Sequence, residues 1–225
     1  MKTIKTSIIP IEQTFINLKD QPHELDYKAI CVFSALGFFL DTDTYWKDKK
    51  VLPAASINKI DDDGFLVSSE PWFEWHYKPK NRSLENVTNE FSDLFEKIVS
   101  EQCIDKKVIL PISGGLDSRS QAVALHKLGV EVNTYSYSFE NGYNEAGISK
   151  KIAKKCNFLF QEFTIPKNYL WDKIDELSAI NSCYSEFTHP RQMAVIDDIE
   201  KLGDVFSLGH WGDVLFDSEN LQQNY

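Results

Sequence analysis

The stretch that decides how this chain folds is Val108-Ile109-Leu110-Pro111-Ile112-Ser113-Gly114-Gly115-Leu116-Asp117-Ser118. Val108, Ile109 and Leu110 read as a buried strand, and a regular pattern resumes at Arg119, where Val123, Leu125 and Leu128 predict a helix that stops at Gly129. Between strand and helix lies a small, glycine-paired turn carrying one carboxylate and two hydroxyls. A loop in that place sits on a helix N-terminus, where unpaired N–H groups and the positive end of the helix dipole favour an anion. Gly114 and Gly115 let the backbone approach a phosphate with no Cβ in the way. Ser113 and Ser118 add hydroxyl donors, and Asp117 can hold the magnesium that accompanies a nucleotide. Two glycines after a strand are by themselves an ordinary tight turn. All six residues SGGLDS after a strand and before a helix favour phosphate binding instead.

The chain has 225 residues, 42% of them hydrophobic, enough for one large domain or a domain plus a partial one. Its formal charge of -10, from 24 basic and 34 acidic residues, argues against a general nucleic-acid surface. Cys31, Cys103, Cys156 and Cys183 are scattered, without the paired spacing of a zinc or thiol-redox site, so reduced structural thiols are expected. The N-terminus MKTIKTSIIPIEQ has no apolar segment of signal-peptide length, and the most apolar stretch, Ala29 to Leu40, is too short to span a bilayer. A cytoplasmic location is the expectation.

From Ser83 onward helices and strands alternate. Leu84, Val87, Phe91, Leu94, Phe95 and Ile98 stand at helical spacing ahead of the glycine-loop strand and its helix. A strand follows at Val130 to Phe139, then a helix from about Asn144 to Cys156 and a strand from Phe158 to Ile165. Helices at roughly Lys167 to Ile180 and Pro190 to Leu202 lead to a last strand, Val205 to Leu208. Strands separated by helices of this length predict an α/β domain, residues 83–225, with a parallel sheet and its ligand site at the strands' carboxyl ends. Residues 1–82 have another texture, with Tyr45, Trp46, Trp72, Trp75, Tyr77 and the turn Asp61-Asp62-Asp63-Gly64, and predict a small β-rich region of hairpins.

The loop has neither the Walker A lysine nor the GxGxxG of dinucleotide folds. SGGLDS resembles instead the pyrophosphate loop of the ATP pyrophosphatase (PP-loop) superfamily, whose members split ATP between its α and β phosphates. Three further features are similar to its asparagine synthetase branch. They are Ser136-Tyr137-Ser138-Phe139 followed by Asn144-Glu145-Ala146; Leu208-Gly209-His210-Trp211-Gly212-Asp213-Val214-Leu215-Phe216, which looks like the family's SGEGADELF; and Phe39 to Trp46 with Leu52-Pro53-Ala54, which resemble the closing hairpins of the preceding glutaminase domain. The likeness spans about residues 36 to 217. It implies a Rossmann-like, adenine nucleotide alpha hydrolase-like domain. It also implies a pyrophosphate site at Ser113, Gly114, Gly115, Asp117 and Ser118, an adenosine flanked by Tyr137 and Gly209, and magnesium shared by Asp117 and Asp213.

The departures from that family carry expectations too. Its glutamine-hydrolysing members use an N-terminal cysteine as nucleophile. Here Lys2 follows Met1, so no glutaminase is expected, and residues 1–82 look like a remnant of that domain. His210 replaces the family's glutamate where the attacking amine loses its proton. It is either a substitute base titrating near neutrality or a packing histidine in a site that has changed or lost its chemistry. Arg119 can reach a phosphate from the helix's first turn or lie exposed. Thr188-His189-Pro190-Arg191 reads first as a helix start, with a carboxylate-binding role for Arg191 as the second reading. The chain stops soon after Asp213, as a fragment, a split gene product or a minimal version would. The function implied is ATP-dependent carbon–nitrogen ligation, asparagine-synthase-like and of the amino-acid biosynthesis type. It would run through an acyl-adenylate, with ATP and Mg2+ as cofactors and a small carboxylate (aspartate by family default) and ammonia or an amine as partners. A completing chain or a homodimer is also open. The alternative is a catalytically silent ATP-binding or partner-binding module. A tRNA-thiolating relative is disfavoured by the charge and by the absence of paired cysteines.

Overall fold

The computed structural model describes residues 1–6, 13–74, 76, 78–144, 146–182, 184 and 190–209. They form two compact units, one of Met1–Pro79 with Leu170–Pro190 and one of Lys80–Tyr169 with the chain from Arg191 onward.

In the second unit, β6 (Val108–Pro111) pairs in parallel with β7 (Val132–Phe139) on one side and β9 (Val205–Phe206) on the other, and β8 (Leu159–Ile165) pairs in parallel with β7. The sheet order β8-β7-β6-β9 is the doubly wound one, in which the first strand in sequence has neighbours on both sides. The chain runs from β6 to β7 on one side and returns from β8 to β9 on the other, so the strand order reverses at β6, where a crevice forms at the carboxyl end. Alternation along β6 sorts its residues between the two faces. Val108 and Leu110, with Ile112 just beyond, pack with Val99 and Cys103 of α2 (Leu84–Cys103) and with Ala122 and Leu125 of α3 (Leu116–Leu128). Ile109 packs on the other face with Tyr135, Ile199 and Leu202. Burial pushes the Cys103 thiol up from its ordinary pKa, in keeping with an inert structural cysteine.

Several elements differ from their sequence-based expectations. The helix after the loop begins at Leu116, not Arg119, so Asp117 and Ser118 stand in its first turn. Apolar spacing marks only core-facing residues, and this first turn faces the loop. The span Pro190 to Leu202, expected as one helix, is a 3-10 turn at Arg191–Val195, a short α6 (Ile196–Ile199) and a second 3-10 turn at Glu200–Leu202. Val195, at φ -132° and ψ 25°, leaves the helical path and breaks the repeat. The helix expected from Asn144 to Cys156 is α4 (Ala146–Lys155), and β9 ends at Phe206 rather than Leu208.

The first unit holds an antiparallel sheet of order β1-β4-β5, from β1 (Lys2–Lys5), β4 (Ser56–Ile60) and β5 (Leu66–Pro71), and a pair of β2 (Phe15–Asn17) and β3 (Lys49–Val51). The expected turn closes the β4–β5 hairpin. Asp61 Oδ1 accepts from the N–H groups of Asp63 (3.1 Å) and Phe65 (2.8 Å), and Gly64 takes φ +86°. The unit also contains a helix that composition did not suggest, α1 (Tyr27–Leu36), bracketed by Asp26, whose carboxylate accepts from Lys28 and Ala29, and by Gly37 at φ +80°. Tyr27, Ile30, Val32 and Phe33 are weak helix formers that offset Lys28, Ala29, Ala35 and Leu36, so the caps were its clearest local signal. α5 (Tyr169–Asn181) leads to Tyr184, whose ring meets Phe15 edge-on at 5.8 Å and stacks on Phe39 at 5.4 Å. Those ring contacts join a segment far along the sequence to the first unit. Among the described residues, no helix is long and apolar enough to cross a membrane.

Candidate functional site

The loop between β6 and α3 is folded on itself by its own polar atoms. Ser113 Oγ accepts from the Gly115 N–H at 3.1 Å, and the Ser113 N–H donates to Ser118 Oγ at 3.2 Å. The two hydroxyl oxygens lie 3.2 Å apart, and the Ser118 hydroxyl can donate to the carbonyl of Ser113 (3.3 Å) or of Gly115 (3.4 Å). Arg119 lies exposed, the second of its two readings. Its guanidinium donates to the carbonyls of Gly114 and, at 3.2 Å, Gly115, so it braces the loop from the acceptor side.

Gly115 has an ordinary extended conformation, φ -74° and ψ 162°, which any residue adopts. What it contributes is empty space: a Cβ there would lie 3.2 Å from Ser113 Oγ. No side chain caps α3, so the first-turn N–H groups have no acceptor within the helix, and Asp117 adds the only acid of that turn.

These residues line a cleft of about 400 Å³ at the carboxyl end of β6. Ser113, Gly115, Asp117, Ser118, Tyr137 and Gly209, all singled out from sequence, share its wall. Gly114 lies in the same loop but turns toward α4, where a Cβ would meet Ile148 Cδ1 at 3.6 Å. Gly209 packs directly on the start of α3, and a Cβ there would come within 3.0 Å of Asp117 Cβ. Two hydrogen bonds hold that segment in place, Gln121 Nε2 to the Leu208 carbonyl (3.3 Å) and Ser207 Oγ to Gln121 Oε1 (2.6 Å). His210, Asp213, Thr188 and His189 lie outside the described residues.

The cleft also takes in Ser149, Gln192 and Ser136, to which motif reading gave no role, and Arg191, whose second reading was a carboxylate holder. Ser149 Oγ of α4 donates to the Ile112 carbonyl at 3.0 Å and anchors the base of the loop. Gln192 hydrogen-bonds the buried Tyr135, and burial pushes that phenol up to about 12. Ser136, also on the wall, has a buried Oγ without a hydrogen-bond partner, a polar atom that a bound molecule would satisfy. It stands next to Tyr137, but nothing local in the sequence distinguishes the two. Arg191 lies on the same wall, its guanidinium 5.5 Å from the centre of the Phe139 ring. Among the described lining residues, Asp117 and Arg191 carry the charge.

Such an arrangement suits a polyanion. It offers helix-terminal N–H groups and hydroxyls, a backbone without side chains, and a carboxylate placed for a hard cation. The described residues contain no cluster of three or more His, Cys, Asp or Glu able to hold a metal alone. Magnesium needs no such cage, because it keeps waters and is bound by one or two carboxylates plus substrate phosphates. Asp117 fits one such position.

Residues 90–196 match the family model described as asparagine synthase. No curated protein sequence matches the chain. Similar solved structures include an NMN synthetase from Francisella tularensis at 14% identity and TM-score 0.36, covering 60% of this chain and 70% of that one. An NH3-dependent NAD synthetase from Campylobacter jejuni, in complex with nitrate, has 14% identity and TM-score 0.37, with 60% of each chain covered. A glutamine-dependent NAD+ synthetase from Acinetobacter baumannii, in complex with ADP, has 15% identity and TM-score 0.39, with 74% of this chain and 32% of that one covered. The chain thus spans less than two thirds of the latter two proteins. The matched segment contains β6, β7 and β8 and the whole glycine loop, and over these residues the chain is similar to the asparagine synthase family.

Proposed function

We propose that this chain is an ATP-dependent amide-forming ligase without a glutaminase of its own. A substrate carboxylate attacks the α-phosphorus of ATP, the bond to the β,γ-pyrophosphate breaks, and ammonia or an amine then displaces AMP from the acyl-adenylate. The observation that carries the reading is the uncapped start of α3, whose glycine-paired loop opens into the cleft at the carboxyl end of β6. Charge accumulates on the departing pyrophosphate, and N–H groups already oriented there stabilise it without reorganising. Magnesium, held by Asp117 and in this reading Asp213, supplies further neutralisation of phosphate charge. Ser113 and Ser118 shape the loop that grips the β and γ phosphates. Tyr137 and Gly209 flank the adenosine, and Ser136 Oγ is free to bond it. Arg191 stands on the same wall as a holder for a carboxylate. Aspartate is the acceptor that the family resemblance suggests, and His210 is the base for the attacking amine.

ATP/pyrophosphate exchange with MgATP and a panel of carboxylic acids tests this. The expected result is exchange that depends on one acid and falls about a hundredfold or more in Asp117→Asn. A second reading, a silent nucleotide-binding module, is favoured by His210 standing in place of the family's glutamate. Tight MgATP binding without exchange for any acid would select that module and overturn the ligase.

A further inference from the structure

The segment that brings Gly209 to the cleft lies outside the sheet. β9 ends at Phe206, and the Ser207 N–H still reaches the Ile109 carbonyl at 3.0 Å. Beyond it Leu208 is exposed, and Gly209 has no side chain with which to fix itself. The segment is held instead along one flank of α3. Asp117 and Gln121 stand at i and i+4 in that helix, so they share a face one turn apart. Gly209 packs on Asp117 and on the backbone of Ser118, and one turn further along α3 the Gln121 side chain takes Ser207 and Leu208.

Gln121 makes this junction with both ends of one carboxamide. A carbonyl can only accept, so Nε2 faces Leu208 O at 3.3 Å, and Oε1 is left to accept from the buried Ser207 hydroxyl at 2.6 Å. The amide is thus oriented from both sides, and side chains of the same length do not replace it. Glutamate would set an acceptor against the Leu208 carbonyl, and methionine would fill the space while making neither bond. The glycine loop does not depend on Gln121. It is folded by bonds of Ser113, Ser118, Arg119 and Ser149, in none of which Gln121 takes part. What Gln121 sets is the spacing between α3, with the loop at its start, and the backbone at Gly209. Both border the same cleft.

We infer that Gln121 is a positioning residue that latches the Ser207–Gly209 segment to α3 and so fixes the adenosine side of the cleft against its phosphate side. This rests on the nucleotide reading given above, in which Gly209 flanks the adenosine and the loop grips the β and γ phosphates. Titration calorimetry of the whole chain with MgATP and, separately, with magnesium pyrophosphate tests it, with circular dichroism confirming that each variant is folded. Gln121→Met and Gln121→Glu should each weaken MgATP about tenfold, the effect of losing two modest hydrogen bonds. Ser207→Ala, which keeps the bond to Leu208, should weaken it about threefold. Pyrophosphate, which has no adenosine to place, should bind all three variants within about twofold of the unaltered protein. A merely structural role would loosen α3 together with the loop at its start and would weaken pyrophosphate as well. Equal losses for the two ligands, or MgATP affinity unchanged in Gln121→Met, would overturn the inference and leave the nucleotide reading standing. An unaltered protein that binds neither ligand would overturn both.

Discussion

Ser118→Ala separates two jobs that one hydroxyl can do. In the family resemblance Ser118 is a pyrophosphate ligand. In the structure its oxygen is occupied within the loop, accepting from the Ser113 N–H and touching Ser113 Oγ, both at 3.2 Å, with two carbonyls at 3.3 and 3.4 Å within reach of its single proton. Those distances are long for hydroxyl bonds, whose usual O···O separation is about 2.7–2.8 Å. Each is therefore worth less than the typical net value of about 1 kcal/mol. Losing one accepted and one donated bond, and leaving the Ser113 N–H to water, should cost about 1–1.5 kcal/mol, or about 3–5 °C in Tm for a chain of this size. A loosened loop must be ordered again before phosphate binds, so MgATP affinity should fall by about the same energy, roughly tenfold. Scanning calorimetry and titration calorimetry with MgATP measure the two effects. An unchanged Tm with binding abolished would refute the brace and make the hydroxyl a direct phosphate contact.

Gly203→Ala should destabilise the second unit by about 2–3 kcal/mol. The backbone there is extended at φ 172°, so the cost is a collision: the new Cβ would lie 2.5 Å from the Lys107 carbonyl oxygen. β9 would be pushed off β6, weakening the Asp204 N–H to Lys107 O bond (2.7 Å) and the Ser207 N–H to Ile109 O bond (3.0 Å), and a denaturation midpoint equal to the unaltered protein's would refute this. Tyr135 contributes to alkaline stability. Its folded pKa of about 12 lies above the ordinary 10, because burial disfavours the phenolate. Its stabilising contribution is complete below pH 10 and is lost as pH rises toward 12. Tyr135→Phe should flatten the fall in Tm over that window, and an unaltered slope would show that another group is responsible.

Much of the site was legible in sequence because its chemistry is local. A strand, six loop residues and a helix are consecutive, so the side chains that fold the loop are neighbours in the chain. Ser113, Gly115, Asp117 and Ser118 accordingly share the cleft wall. The start of α3 was displaced by three residues because hydrophobic period does not register an end that faces a loop. α1 was missed because the aromatic and β-branched residues Tyr27, Ile30, Val32 and Phe33 blurred its helical signal, which its caps, Asp26 and Gly37, carried most clearly. Ser149 and Gln192 carry no motif, and the motif that contains Ser136 gives it no role. Their place depends on where α4 and the turn at Arg191–Val195 come to rest against β6 and β7.

By itself the sequence determined that the chain contains a parallel α/β domain and that a glycine-paired loop joins that domain's first strand to a helix, since periodicity and turn chemistry act over a few residues. Only the tertiary structure decided the order β8-β7-β6-β9 that makes the end of β6 a crevice, and the packing of Gly209 against Asp117 across 92 residues of chain. It also decided that α2 enters the core through Phe95, Val99 and Cys103. Strand order, close backbone approach and burial are set by competition among distant segments for the same partners, and no local pattern encodes that outcome.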